Sequence, residues 1–121
     1  MFKSANPKQG AVEVKDSEIW NALARVQKSR TMIGCAKLSE FLSFVVKATL
    51  RGQSDYLKET MIGVFVFGRK PDYDPKADTI VRSQAWRLRK KLKQYYEAEG
   101  VHDPVIIDLP RGHYVPVFRL R

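Results

Sequence analysis

Residues 82–94 read RSQAWRLRKKLKQ and combine six basic residues and no acidic one with an apolar helical stripe. Apolar side chains recur through this segment at helical spacing, which at about 100° per residue gathers them on one face. They are Val81, Ala85, Leu88 and Leu92, extended by Tyr95 and Tyr96. The pattern predicts a helix with one side in a protein core and positive charge on the other. An element that lies against a phosphate backbone needs both properties.

The composition indicates one folded domain with a polyanionic partner. A chain of 121 residues can bury one core, and its 44% apolar content argues against a disordered tail. Twenty-two Lys and Arg against 13 Asp and Glu give a net charge of +9. This excess favours nucleic acid or an anionic membrane as a partner. Because the charge is concentrated in one helix, we expect nucleic acid rather than a basic protein without such a partner.

The cysteine count and the apolar runs bear on location. Cys35 is the only cysteine, so an intramolecular disulfide and a cysteine zinc cluster are excluded, which suits a reducing compartment. The first ten residues lack a signal-peptide pattern, and the dense apolar run 61–67 is too short to span a bilayer. We expect a cytoplasmic protein with no membrane partner.

The segments before the basic helix predict an arm and three helices. Residues 1–16 are expected to form a flexible N-terminal arm, with a short strand at 11–14, and residues 17–121 the folded domain. The expected helices run from a cap at Asp16 or Ser17 to Ser29, over 36–51, and over 57–67. The last segment is ambiguous, because the β-branched and aromatic residues 64–67 would also suit a buried strand.

The rest of the chain predicts the basic helix and a hairpin. Asp78 is the expected cap of the helix, which runs to Glu99 and stops at Gly100. The apolar runs 105–109 and 113–118 predict two strands around a basic turn at 110–112. The fold class is therefore α+β, with the plan of a winged helix: a three-helix core that includes a long recognition helix, followed by a C-terminal β-hairpin wing.

Two stretches, IVRSQAWRLRKKL (80–92) and VIIDLPRGHYVPVF (105–118), resemble the recognition helix and wing of OmpR/PhoB-type DNA-binding domains. Over about 38–118 the chain resembles a bacterial winged-helix module often found ahead of tetratricopeptide or propeller-like repeats. The shared segments are FLSFVV (41–46), LKETMIGVFVFGR (57–69), YDP (73–75), RLRKKL (87–92) and YY (95–96). Two residues depart from the pattern: Trp86 replaces an arginine, and Phe65 replaces a polar residue.

The resemblance implies a helix-turn-helix formed by 57–67 and 78–99, joined by the loop 69–77. The second helix would enter the major groove, and the hairpin would reach the neighbouring backbone or the minor groove. Arg69 and Lys70, which open the loop, are candidates for contact with DNA backbone or with the transcription machinery. A homodimer or tandem binding on DNA is expected, because one small module gives limited specificity.

The candidate DNA-binding residues lie on the outer side of the basic helix and on the wing. Arg87 is the first choice for base readout, because a planar guanidinium matches the two acceptors of guanine. Trp86 suits a thymine methyl group or a sugar, or a protein partner instead. The full set is Thr79, Arg82, Ser83, Trp86, Arg87, Arg89, Lys90, Lys93, Arg111 and His113.

The acidic and histidine residues do not predict a metal or catalytic site. A calcium loop counted from Asp72 would need glycine and glutamate where Ala77 and Ser83 stand. His102 and His113 have no acid–base partner at a telling spacing. We therefore predict no enzyme, no cofactor and no metal. The hypothesis is a sequence-specific transcriptional regulator that binds double-stranded DNA; the alternative is a winged-helix module that binds proteins and not DNA.

Overall fold

The structure is a computed structural model that describes residues 13–121. Most of the predicted arm, 1–16, and half of the predicted strand, 11–14, lie outside these residues. Within these residues the fold is α+β, and its helices and strands are α1 (Asp16–Lys28), α2 (Ala36–Leu50), a short 3-10 helix (Ser54–Tyr56), α3 (Glu59–Phe65), α4 (Ile80–Glu97), β1 (Val105–Asp108) and β2 (Val117–Leu120). No helix between residues 13 and 121 combines the length and apolar content that a membrane span needs. The layout is compatible with a winged helix.

The core confirms the apolar stripe of the basic helix. Val81, Ala85 and Leu88 are fully buried. Tyr96 is half-buried, and its hydroxyl oxygen accepts the N–H of Ile107 at 2.8 Å. The other large buried side chains come mainly from α2 and β1: Leu38, Phe41, Leu42, Val45, Val46, Val105 and Ile107. Helix α4 therefore lies against both the helical layer and the hairpin, and its opposite side faces solvent.

The first helix begins at Asp16, which is earlier than a cap at Asp16 or Ser17 would imply. Lys15, rather than Asp16 or Ser17, is the N-cap. The Glu18 carboxylate accepts the Lys15 backbone N–H at 3.1 Å, so a glutamate in the first turn supports this end. At the other end Ser29 follows the last helical residue, and its hydroxyl donates to the carbonyl of Val26 at 2.6 Å.

The ambiguous segment after α2 is helical, and the strand interpretation of 64–67 is wrong. The N–H of Ile62 bonds to the carbonyl of Lys58 at 3.0 Å, and the N–H of Val66 to that of Ile62 at 2.8 Å. Helix α3 is shorter than predicted. It ends before Gly68, whose φ of +67° lies in the left-handed region that glycine tolerates. The 3-10 helix ahead of it was not predicted.

Helix α4 starts and ends slightly inside its predicted limits. Thr79 is the N-cap, not Asp78, although the Asp78 carboxylate accepts the N–H of Ile80 at 3.2 Å. The helix stops at Glu97 rather than Glu99, and the side chain of Glu99 bonds to the turn after α1. Its carboxylate accepts the backbone N–H groups of Arg30 and Thr31, both at 3.0 Å, and so holds the turn after α1.

The hairpin is antiparallel as predicted, but its second strand begins at Val117 instead of His113. The register pairs Val105 with Leu120 and Asp108 with Val117, so residues 109–116 form a long loop. Two features keep this loop out of the ladder. Pro116 has no N–H to donate. The N–H of Val115 bonds to Nδ1 of His113 at 3.1 Å rather than to β1.

Candidate nucleic-acid interface

Helix α3 and helix α4 are held together through the loop between them. The Arg82 guanidinium of α4 donates to the Glu59 carboxylate of α3 at 3.0 Å and also bonds to the carbonyl of Pro75. The Tyr73 hydroxyl donates to the Glu59 carbonyl at 3.0 Å. The Tyr73 ring passes so close to Gly63 that a Cβ there would lie 2.1 Å from the hydroxyl oxygen. The orientation of the basic helix is therefore fixed by contacts with α3 and the loop.

A second ion pair closes the base of this loop. Arg69 Nε lies 2.6 Å from an Asp78 carboxylate oxygen, and the same guanidinium donates to the Phe67 carbonyl at 3.1 Å. The hydrogen bond from Arg69 lowers the pKa of Asp78, and the Ile80 N–H acts in the same direction. Arg69 is thus occupied within the protein, while the next side chain, Lys70, is exposed.

The outward surface of α4 carries an exposed aromatic ring among cations. Trp86 is 57% exposed, and the Lys90 ammonium lies 4.6 Å from its ring centroid. Such an exposed cation–π pair contributes about 0.5–1 kcal/mol, so another partner could displace it. Arg87 is exposed and makes a long bond of 3.4 Å to the Gln84 side chain. A shallow groove of about 210 Å³ lies between Trp86, Arg87, Lys90, Lys91 and Gln94.

The N-terminal turn of α4 offers hydroxyl groups rather than charges. Thr79 is exposed at the N-cap and makes no side-chain capping bond. Ser83 is also exposed, but its hydroxyl donates to the Ile80 carbonyl at 3.1 Å. The Ser83 oxygen keeps an acceptor site, so it can receive a base amino group or a water molecule.

Arg89 turns away from this outward surface and holds the hairpin loop, residues 109–116. Its guanidinium donates to the carbonyl oxygens of Leu109 at 2.9 Å, Pro110 at 3.1 Å and His113 at 3.0 Å. It also lies 6.0 Å from the centroid of the Tyr114 ring. Burial lowers the pKa of Arg89 and raises that of Tyr114. The sequence predicts Arg89 as one of the DNA-binding residues; in the structure its guanidinium bonds to the loop 109–116 and positions it.

A cleft of about 450 Å³ lies between α4 and the hairpin, with basic side chains on both walls. Lys93 and the acidic Glu97 line the α4 wall, whereas Arg111 and Arg119 come from the hairpin. Asp108 is 3.8 Å from Arg119 and partly offsets its charge. Arg119 was not among our sequence candidates. The sequence carried no signal for it, because the predicted second strand ended at 118; in the structure it pairs with Ile106, another residue of the cleft wall.

The hairpin loop presents Arg111 and His113 to solvent. Nδ1 of His113 accepts the Val115 N–H, so a neutral imidazole carries its proton on Nε2. That nitrogen is the one a phosphate oxygen could approach. Arg111 and Lys93 meet at the cleft, whereas Thr79, Ser83 and Trp86 belong to the other half of the helix surface.

Metal chemistry gains no support from the part of the chain that the structure describes, where no group of three or more His, Cys, Asp and Glu could hold an ion. The candidate site therefore consists of a helix surface, a basic cleft and a loop fixed by Arg89. Comparison of the chain with models of protein families, with curated proteins and with solved structures found no match.

Proposed function

We propose that the chain is a winged-helix transcriptional regulator domain that binds double-stranded DNA sequence-specifically, without enzymatic activity. Helix α4 is the recognition helix, and residues 105–118, which include β1 and the long loop, contribute the wing. The observation that carries the proposal is the cleft between them. One wall has Arg89 and Lys93 against Glu97, and the other has Arg111 and Arg119 against Asp108, so basic side chains outnumber acidic ones on both. The loop of the hairpin is fixed to α4 by Arg89. Two cationic surfaces at a set separation suit a polyanion that contacts both.

The side chains divide into base readers, phosphate contacts and positioning residues. Arg87 reads a base edge, since the long bond to Gln84 is its only hydrogen bond among residues 13–121. Lys90 and Trp86 flank it, and Trp86 packs against a thymine methyl group or a sugar. Exposed residues at the edges of the surface contact phosphates, which fix the register without reading sequence. These are Thr79, Lys93, Arg111 and His113, whereas the remaining acceptor site of Ser83 suits a base amino group.

Arg82 and Arg89 act mainly through the protein itself. Each guanidinium is shared among acceptors on another element, Glu59 and Pro75 for Arg82 and the wing loop for Arg89. Their charges still add to the local positive potential, but their role in binding is to orient α4 and the loop. Preorganisation of this kind lowers the entropy cost of association.

Binding as a homodimer or as a tandem pair follows from the small size of the interface, and the transcription machinery is a further partner in this proposal. Lys70 is the exposed loop cation that suits such a contact. The cytoplasm is the compartment in which the chain would meet bacterial DNA.

The test is a fluorescence-anisotropy titration with a duplex selected from a random DNA pool, at about 50 and 200 mM salt. We expect affinity to fall steeply with salt, and Arg87→Ala with Lys90→Ala to weaken binding at least tenfold. The matched control is Lys15→Ala with Lys28→Ala, which removes the same charge from exposed positions beside and on α1. Binding that ignores salt, or that both double variants weaken equally, would overturn the proposal.

The alternative, a winged-helix protein-interaction module without DNA binding, rests on the exposure of Trp86 at 57%. It predicts that the freshly purified protein carries no nucleic acid. It also predicts that no duplex from the pool binds more tightly than random DNA. An absorbance ratio at 260 and 280 nm gives the first indication, and the titration above decides between the two functions.

A further inference from the structure

An apolar groove lies between α2, the 3-10 helix and α3, outside the surface assigned to DNA. Its volume is about 270 Å³, and its walls include Phe44, Tyr56, Met61 and Phe65. Phe65 and Tyr56 are 61% and 60% exposed. The Phe44 and Phe65 rings stack with their centroids 6.2 Å apart, so the wall of the groove is a preformed aromatic surface. Large aromatic side chains exposed together at a concave site are typical of protein-binding surfaces.

The groove faces away from α4. On α3, Glu59 bonds to Arg82 of α4, and Gly63 meets the Tyr73 ring of the connecting loop. Helical geometry places Met61 and Phe65 about 160° around the axis from Gly63. A duplex bound to α4 therefore leaves this groove open.

The charge around the groove has one sign. Lys47 and Arg51, at the C-terminal end of α2, contribute to its lining, and no aspartate or glutamate among the described residues does. Within residues 13–121 neither of these two side chains has an ion-pair partner. An occupant with carboxylates beside an apolar anchor would match both properties of the site.

We propose that this groove binds an acidic segment of a partner protein. One large apolar or aromatic side chain of the segment packs against Phe65 and Phe44, and neighbouring carboxylates pair with Lys47 and Arg51. The concave shape and the volume fit the insertion of a single anchor side chain, which in such sites supplies most of the binding energy. The proposal is independent of the DNA-binding function, and together they predict a ternary complex.

Charge argues against two other occupants. The segment 1–12 of this chain contains Lys3 and Lys8 and no acidic residue, so it has the same sign as the rim. A second copy that met this groove by two-fold symmetry would bring Lys47 and Arg51 of one chain close to those of the other. Both arrangements place like charges together, which disfavours them.

The test begins with selection of peptides from a displayed random library on the full 121-residue chain. The Phe65→Glu variant serves for counter-selection. We expect enriched peptides to carry Asp or Glu beside Trp, Phe or Leu. An enriched peptide, synthesised with a fluorescent label, should lose at least tenfold in affinity with Phe65→Glu. It should lose as much with Lys47→Glu plus Arg51→Glu. All three residues are exposed, so unchanged thermal unfolding of the variants is expected to show that the fold is retained.

The matched control is Ile33→Glu, which adds the same charge at a residue that is 78% exposed and not part of the groove. It should leave peptide affinity unchanged, and saturating duplex DNA should not displace the peptide. Four results would each overturn the proposal: no enrichment over the counter-selected variant, enriched peptides that are neutral or basic, sedimentation as a dimer that Phe65→Glu dissociates, or Phe65-dependent binding to phosphatidylserine vesicles with no peptide binding. DNA affinity is measured separately, so its loss would count against the DNA proposal alone.

Discussion

Arg89 and Leu109 are joined by a hydrogen bond of 2.9 Å from the guanidinium of α4 to the backbone carbonyl at the start of the hairpin loop, residues 109–116. The contact spans 20 positions in sequence. The same guanidinium reaches two more loop carbonyls, so one side chain determines where the tip lies relative to the helix. Arg89 therefore adds positive charge to the surface and also holds the hairpin loop in place beside α4.

Replacement of Arg89 should therefore change stability and binding together. Arg89→Ala leaves three carbonyl oxygens without this donor, and we expect a loss of about 1–3 kcal/mol in the free energy of unfolding. DNA affinity should fall by about tenfold, because the loop is no longer held. Arg89→Lys keeps the charge but not the planar fork, so it should recover only part of either loss. Thermal unfolding and anisotropy titrations measure the two effects. Full recovery by lysine would mean that charge alone matters.

Arg111 provides the complementary case at the tip of the loop. It is exposed, and no ion pair within residues 13–121 involves it. Arg111→Ala should leave the melting temperature unchanged, weaken binding to all DNA sequences similarly, and reduce the salt slope by about 1. Titrations over a series of salt concentrations give the slope. An unchanged slope would place Arg111 away from the phosphates.

Gly63→Ala should destabilise the junction of α3 with the connecting loop. The new methyl group would lie 2.1 Å from the Tyr73 hydroxyl oxygen and 2.5 Å from the ring carbon that bears it. The ring must move, and its bond to the Glu59 carbonyl is then lost. We expect a cost of about 1–3 kcal/mol, measured by denaturant unfolding. In a Tyr73→Ala background the same change should cost much less, since the two sites are coupled. Equal costs in both backgrounds would show that the ring is not the obstacle.

Periodicity predicted the parts of this structure that depend on local pattern. The buried positions Val81, Ala85 and Leu88 follow from helical spacing alone, as does the exposure of Arg87 and Lys90. The alternation of Val105 and Ile107 likewise indicates a strand with one buried face. These predictions hold in the structure because each depends only on residues three or four positions apart in a helix, or two positions apart in a strand.

Features set by distant contacts could not be predicted in this way. The start of β2 moves to Val117, and the intervening residues form a loop whose carbonyls bond to Arg89. Distant contacts also decide which cations are exposed and which are bonded within the protein. Arg82, for example, pairs with Glu59, which lies 23 positions away in sequence. No spacing rule within α4 distinguishes Arg82 from Arg87. Only the packing of α3 and the hairpin against the helix does.

Two carboxylates predict how stability depends on pH. The hydrogen bond from Arg69 lowers the pKa of Asp78 below its ordinary 3.8, and backbone N–H groups, first that of Arg30, lower that of Glu99 below its ordinary 4.5. A carboxylate whose pKa is lower in the folded state stabilises the fold at pH values above its unfolded-state pKa. This stabilisation is lost as the pH falls through the folded-state pKa. We therefore expect the melting temperature to fall as pH drops below about 4.5.

The matching variants isolate each carboxylate. Asp78→Asn and Glu99→Gln should each lower the melting temperature at neutral pH, and the difference from the unchanged protein should shrink toward pH 2–3. Glu97→Gln is the control, since Glu97 is exposed and no hydrogen bond or ion pair among the described residues involves its side chain. A difference that stays constant with pH would mean that the ionised form is not what stabilises these contacts.

Tryptophan emission offers a direct test of which surface meets DNA. The chain has two tryptophans, Trp20 on α1 at 38% exposure and Trp86 on α4 at 57%. If α4 enters the major groove, binding removes Trp86 from water and displaces Lys90 from its ring, so emission should change on titration with duplex. The change should persist in Trp20→Phe and disappear in Trp86→Phe. If Trp20→Phe abolished the change in emission instead, the duplex would be bound through α1, and the basic side of α4 would be open to some other partner.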